Sequence, residues 1–260
     1  MIKSLILALL LANPAFAQSQ ADVVQGNLLP GWRMSNGHYM AAVDLQLAPE
    51  WKTYWRAPGD AGIPPTFDWA GSTNLKSVQF HWPSPKVLSL NGMMTIGYLD
   101  ELLLPVEVIP ADPTKPVVLA LNMNLGVCHT VCMPAHLTLS EDLTGAGTKD
   151  ARITAALAAG PVQAKGASAS CKVEPIADGL RLTARIDLAQ QGNAETVVFE
   201  TPDPSVWVSE SKSHREGPVL VSETDLVPSS GAPFALDRAG VTVTVLAPDH
   251  SVELHGCSAP

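Results

Sequence analysis

Tyr39-Met40-Ala41-Ala42-Val43-Asp44-Leu45-Gln46-Leu47 sets Tyr39, Ala41, Val43, Leu45 and Leu47 on one side of an extended chain, with Asp44 and Gln46 opposite. Successive side chains of a strand point to opposite faces, so this two-residue period predicts a half-buried β-strand. The pattern recurs in Leu102–Ile109, in Val117–Leu125 with Asn122 and Asn124 facing away, and in Leu180–Leu188, where Arg181, Thr183, Arg185 and Asp187 alternate with apolar residues. Thr196–Glu200, Val206–Val208 and Val241–Leu246 read as further strands, and Pro and Gly clusters punctuate them. One stretch reads as helix: Asp150–Ala159, with Thr148 as the expected N-cap and Gly160-Pro161 as the stop.

Many short strands and almost no helix predict an all-β chain of antiparallel β-sandwiches, two of them, with a short helix in the connection. The expected divisions are a signal peptide over residues 1–17, a first sandwich over 18–147, helix and linker over 148–170, and a second sandwich over 171–260. The signal reading rests on Lys3, the apolar run Ser4–Ala12, Asn13-Pro14 and the small-residue pattern Ala15-Phe16-Ala17, with cleavage before Gln18. That run is too short to span a bilayer, so an exported protein without a membrane span of its own is expected. Lys and Arg total 16 against 25 Asp and Glu, an acidic balance that disfavours nucleic acid as a partner.

Chemistry concentrates at the cysteines. An exported chain with thiols at 128, 132, 171 and 257 is expected to form disulfides. In the chain-entropy description, bridging Cys171 to Cys257 stabilises by roughly 4.5 kcal/mol, whereas closing the short loop between Cys128 and Cys132 yields only about 2 kcal/mol. Cys171 and Cys257 are therefore read as a structural bridge between the start and the end of the second sandwich. The run Gly126-Val127-Cys128-His129-Thr130-Val131-Cys132-Met133-Pro134 lies between two alternating segments, on a strand-to-strand connection. A tight bridge on an exposed turn is easier to reduce than a relaxed buried one, which points to redox exchange at Cys128 and Cys132. His129 would favour a thiolate there. Two other readings stay open at this point. Cys128, His129, Cys132 and His136 offer two thiolates and two imidazoles for Cu(I) or Zn(II), with Met93, Met94, Met123 and Met133 as thioether neighbours. The same residues also fit a structural adaptor with a plain staple. No Gly-rich phosphate loop, Gly-x-Ser-x-Gly, His-Glu-x-x-His or Cys-x-x-Cys is present.

Around the pair, the run Trp51-Lys-Thr-Tyr-Trp55-Arg-Ala-Pro-Gly59-Asp-Ala-Gly-Ile-Pro-Pro65, then Phe67-Asp-Trp69-Ala-Gly-Ser72, Trp82-Pro-Ser-Pro85, Gly97-Tyr98 and Leu104-Pro105-Val106, resembles the N-terminal periplasmic domain of the thiol:disulfide interchange proteins DsbD and ScsB. Val127-Cys128-His-Thr-Val-Cys132-Met-Pro134 resembles the redox motif of the ScsB-like branch. The likeness spans roughly residues 30 to 143 and weakens beyond Cys171. It implies a periplasmic, immunoglobulin-like thiol:disulfide oxidoreductase module without a cofactor, in which Cys128 and Cys132 exchange and His129, Met133, Pro134 and Tyr98 support them. The loop that caps the cysteines in DsbD corresponds here to Asn91, Gly92, Met93 and Met94, methionine standing where an aromatic is expected. Implied partners are a thioredoxin-like periplasmic protein and a separate membrane electron-transfer protein of DsbD/CcdA type, since this sequence shows neither the membrane nor the thioredoxin domain of DsbD. A copper-binding or copper-tolerance role through the same Cys, His and Met cluster is the competing expectation. From the residues alone, Trp51, Tyr54 and Trp55 are expected to pack a long loop onto the sandwich, with Arg56 pairing to Asp60.

Overall fold

The computed structural model describes residues 19–90 and 92–260. The expected signal peptide and its cleavage site before Gln18 lie outside these residues, as does Asn91. After one helical turn, α1 (Gln20–Val23), ten strands follow: β1 (Val24–Arg33), β2 (Tyr39–Leu47), β3 (Lys52–Tyr54), β4 (Thr66–Asp68), β5 (Leu75–Phe80), β6 (Lys86–Leu90), β7 (Met93–Leu99), β8 (Glu101–Pro110), β9 (Val117–Cys128) and β10 (Cys132–Leu143). Helix α2 (Ala151–Ala158) precedes β11 (Val162–Gln163), β12 (Ser168–Pro175), β13 (Leu180–Asp187), β14 (Thr196–Glu200) and β15 (Val206–Val208). The chain ends with β16 (Lys212–Glu216), β17 (Val219–Pro228), β18 (Thr242–Leu246) and β19 (Ser251–His255).

The strands form four sheets, and the fold is all-β and immunoglobulin-like. Two sheets, ordered β1-β2-β8-β5 and β10-β9-β3-β7-β6 with β4 added to β9, enclose one core built from Val43, Leu45, Leu104, Leu119, Leu121 and their neighbours. The other two, β11-β19-β18-β14 and β12-β13-β17-β15 with β16 added to β17, enclose a second core around Leu182, Ile186, Val243 and Val245. Cys171 and Cys257 are bridged inside that second core, their Cα atoms 5.6 Å apart. The bridge joins β12 of one sheet to the segment past β19 of the other, beside the mutual backbone bonds of residues 169–171 with Ser258.

Three expectations change. Strand β2 is buried on both faces from Tyr39 to Asp44, not on one. The cause is α2, whose Ile153 and Leu157 land on Met40 and Ala42, while its Arg152 reaches the buried Asp44 carboxylate at 3.1 Å. The helix N-cap is Asp150, whose carboxylate accepts from the amides of Arg152 and Ile153. Thr148 instead donates its backbone N–H to Gly31. A carboxylate two residues nearer the first turn both satisfies free amides and faces the positive end of the helix dipole. Finally, the stretch expected as a linker carries structure: β11 pairs in parallel with Val252–Glu253, and residues 168–170 already belong to β12. Among the described residues no helix is long and apolar enough to cross a membrane.

Candidate redox site

Strands β9 and β10 form an uninterrupted antiparallel ladder from Val117↔Leu143 to Cys128↔Cys132. Alternation along β9 sends Leu119, Leu121, Met123, Leu125 and Val127 into the core and leaves Cys128 on the opposite face. The two cysteines are directly opposed at the mouth of the hairpin, Cα atoms 4.1 Å apart, and they are bridged. The connecting residues His129-Thr130-Val131 are closed by the His129 amide donating to the Val131 carbonyl.

The two sulfurs sit in unlike surroundings. Cys128 is fully buried and Cys132 is exposed. What buries Cys128 is β3, which lies beside β9 with Lys52 opposite Cys128 and Thr53 opposite Val127. Residues two apart share a face, so Tyr54 projects onto the cysteine side of the sheet along with Lys52, while Trp51 and Trp55 enter the core. The Tyr54 hydroxyl lies 2.8 Å from the Cys128 sulfur and 3.5 Å from that of Cys132. A disulfide sulfur carries no hydrogen, so Tyr54 is the donor in both contacts. Burial raises the Tyr54 pKa, which keeps this O–H intact through neutral pH.

A covering segment, residues 57–63, follows: its Ala57 packs on the core, and its Gly62 and Ile63 lie against the Tyr54 ring and Gly126 on the cysteine face. Gly126, two residues before Cys128, lies under it: a Cβ there would come within 2.8 Å of Ile63 and 3.1 Å of the Tyr54 ring. The Ile96 amide donates to Pro58 and the Trp55 amide to Ile96, which fastens the start of the segment to β7. Close approach of β3 and β7 requires Gly97, where any Cβ would collide with the Thr53 carbonyl.

The remaining expected site residues are spread more widely. His129 stacks on Trp51, ring centroids 6.0 Å apart, with its Nε2 3.6 Å from Glu50. Met133 packs against the core from β10 and Pro134 is exposed. Met93 is exposed and Met94 half-buried on β7, where the Met94 carbonyl backs Gly59 of the covering segment. Tyr98 turns away: its hydroxyl donates to the Pro83 carbonyl and its ring stacks on Trp82. Metal ligation by Cys128, His129, Cys132 and His136 is not assembled. His136 is held by Asn124 at 2.9 Å, His129 by Trp51 and Glu50, and Met123 lies in the core. Among the described residues no three His, Cys, Asp or Glu side chains converge as a metal site.

Two residues of the site were not anticipated in that role. Tyr54 was expected only to pack a loop, and Lys52 was not singled out. Lys52 is buried beside Cys128 and donates from Nζ to the Ser89 carbonyl at 2.8 Å. Their shared signal is the period-two pairing of Lys52 and Tyr54 within Trp51–Trp55. Its meaning depends on β3 lying next to β9, which no local pattern reveals. The pairing of Arg56 with Asp60 is also replaced: Arg56 bonds Glu200 at 2.8 and 2.9 Å and Glu253 at 2.6 Å. Nearness in sequence loses here to two carboxylates that the second pair of sheets brings to the guanidinium.

Residues 13–143 match the family described as thiol:disulfide interchange protein DsbD, N-terminal. The fold is similar to the crystal structure of the N-terminal periplasmic domain of ScsB from Proteus mirabilis, with a TM-score of 0.66 and 23% sequence identity over 91% of this chain and 92% of that one. Comparison with curated proteins gives no match.

Proposed function

The chain belongs to the family of the N-terminal region of the thiol:disulfide interchange protein DsbD, a disulfide-based exchange module, and from that premise we propose that it carries electrons in the periplasm from a membrane electron-transfer protein to a thioredoxin-like partner through Cys128 and Cys132. In this reading residues 18–147 are the exchange module and residues 171–260 a second sandwich attached to it. The observation that carries the proposal is the unequal exposure of the two sulfurs at one hairpin mouth. An exposed Cys132 can meet a partner, and a Cys128 held beneath Tyr54 can resolve what forms.

The exchange runs as follows. In the reduced module the Cys132 thiolate attacks a partner disulfide; the partner S–S bond breaks, one partner sulfur leaves as thiolate, and a mixed disulfide joins Cys132 to the other. Cys128, as thiolate, then attacks the Cys132 sulfur. The Cys128–Cys132 bond forms, the partner leaves as a dithiol after taking up protons, and two electrons have moved. A dithiol donor reverses these steps to recharge the module. Tyr54 aids whichever sulfur is anionic, because a hydrogen bond to a charged acceptor is about twice as strong as one to a neutral acceptor.

A trapping experiment tests this reading. The probe is a thioredoxin-like protein whose resolving cysteine is removed and whose remaining cysteine carries a thionitrobenzoate mixed disulfide; Cys128→Ser should displace the thionitrobenzoate and accumulate a covalent complex through Cys132, whereas Cys132→Ser should not. If neither variant accumulates one, the exchange reading fails.

A further inference from the structure

The family match ends at residue 143, yet the second pair of sheets reaches the segment that follows Tyr54. The contact is Arg56, two residues after Tyr54 and at the root of the covering segment. Its guanidinium donates a bidentate pair of bonds to Glu200 on β14 and a further bond to Glu253 on β19, and it lies 4.5 Å over the Trp55 ring. These carboxylates are mostly buried, at 23% and 11% side-chain exposure, and so is Arg56 at 28%. A planar guanidinium held by two carboxylates and an aromatic face has little rotational freedom, so the backbone that carries it is held too.

The rest of the cover is held less closely from that side. A groove of about 790 Å³ separates Ala57–Asp60, Gly62 and Pro64 from β14, β15 and the residues between and after them, up to Ser211. Arg56 and Glu200 stand in its walls and join them. Beside the backbone bonds of Trp55 and Pro58 to Ile96, the ion-pair cluster is thus a tie that joins the root of the segment to the second pair of sheets.

We propose that Arg56 is a positioning residue for thiol-disulfide exchange: clamped by Glu200 and Glu253, it holds Tyr54 and residues 57–63 over the Cys128–Cys132 disulfide, and this makes the second sandwich a working part of the redox site. The inference rests on the exchange reading above and adds to it a role for residues that lie outside the matched family region.

The test uses the full-length protein, glutathione as the reductant, and Arg56→Gln, Arg56→Lys and the double variant Glu200→Gln with Glu253→Gln. In the measured step two glutathione thiols are oxidised to glutathione disulfide, the Cys128–Cys132 bond breaks, and two cysteine thiols form. Arg56→Gln and the double glutamine variant should each slow that reduction about fivefold, because glutathione already reaches the exposed Cys132 and a loosened Tyr54 no longer supports the departing Cys128 thiolate, an effect on the scale of one lost hydrogen bond. The pH profile for alkylation of the reduced pair should move to higher pH, Arg56→Lys should recover part of both effects, and adding Arg56→Gln to Tyr54→Phe should move the profile no further than Tyr54→Phe alone. Unchanged reduction rate and pH profile in folded variants would overturn the proposal, as would an Arg56→Gln effect on the profile that adds fully to that of Tyr54→Phe. If Arg56→Gln does not fold, the double glutamine variant decides by the same readouts. A failure of the exchange reading is recognised separately, as Cys128→Ser and Cys132→Ser proteins, with Arg56 intact, that trap no thioredoxin-like partner.

Discussion

Replacing Tyr54 by Phe removes one oxygen and leaves the buried ring, so its consequences trace to the hydroxyl. In the oxidised protein that hydroxyl donates to neutral disulfide sulfurs at 2.8 and 3.5 Å. Such a bond contributes roughly 0.5 to 1.5 kcal/mol, whereas one to a charged acceptor contributes roughly 1.5 to 3 kcal/mol. The difference, about 1 to 1.5 kcal/mol, favours the reduced form when it holds a thiolate. Losing the hydroxyl therefore disfavours reduction, and at about 30 mV per 1.4 kcal/mol the potential of the pair should become more negative by roughly 20 to 30 mV. The same energy, divided by about 1.4 kcal/mol per pKa unit, should raise the Cys128 thiol pKa in the reduced variant by about one unit. Equilibration of wild type and Tyr54→Phe against glutathione buffers, followed by alkylation and mass analysis, measures the potential; the pH dependence of alkylation measures the thiol. A potential that stays put or becomes less negative, with an unmoved thiol pKa, would refute the role assigned to Tyr54.

Two further outcomes concern the second pair of sheets. Removing its bridge with Cys171→Ala and Cys257→Ala, across a sequence separation of 86, should cost about 4 to 5 kcal/mol in the chain-entropy description; denaturant titration checks this, and Cys128–Cys132 should remain formed in the folded variant. Burial opposes ionisation of Glu195, but the Arg215 guanidinium, bonded at 2.8 and 2.6 Å, and the Gln191 amide outweigh it and hold the carboxyl below its ordinary value. A carboxyl depressed by folding adds stability that is fully present above its unfolded pKa of about 4.3 and is lost as pH falls through the lower folded value. Glu195→Gln should thus cost roughly 2 kcal/mol at neutral pH, since Gln keeps one acceptor for Arg215. Its gap from wild type should shrink on acidification below pH ~4, and a gap that is constant with pH in urea titrations would refute the pairing.

What could be read in advance follows from how far each determinant reaches along the chain. Alternation is local, so the central strands β2, β8, β9 and β13 were legible from Tyr39, Leu102, Val117 and Leu180 onward, and so was the helix, a short run of good formers ending at Gly160-Pro161. Strand β1 was hidden because Gly26, Pro30 and Gly31 read as breakers; in the fold they form an irregular edge, with a register shift between Leu29 and Trp32. The two-sided burial of β2 required knowing where α2 lands, which is set by packing of Ile153 on Met40 and Ala42 and not by the strand's own pattern. At the site, the cysteines were legible because their chemistry and spacing are local. Tyr54 was not, because its function depends on register: Lys52 pairing with Cys128 fixes which face Tyr54 takes, and moving β3 by one residue would exchange it with Trp55. Arg56 is a stronger case, since its partners Glu200 and Glu253 lie 144 and 197 residues away, while Asp60 offered the only nearby carboxylate in the covering stretch. The residues that make the disulfide could thus be found from one segment. The residues that hold its cover come from four, those of Arg56, β7, Glu200 and Glu253, and only the folded arrangement of both sheet pairs puts them together.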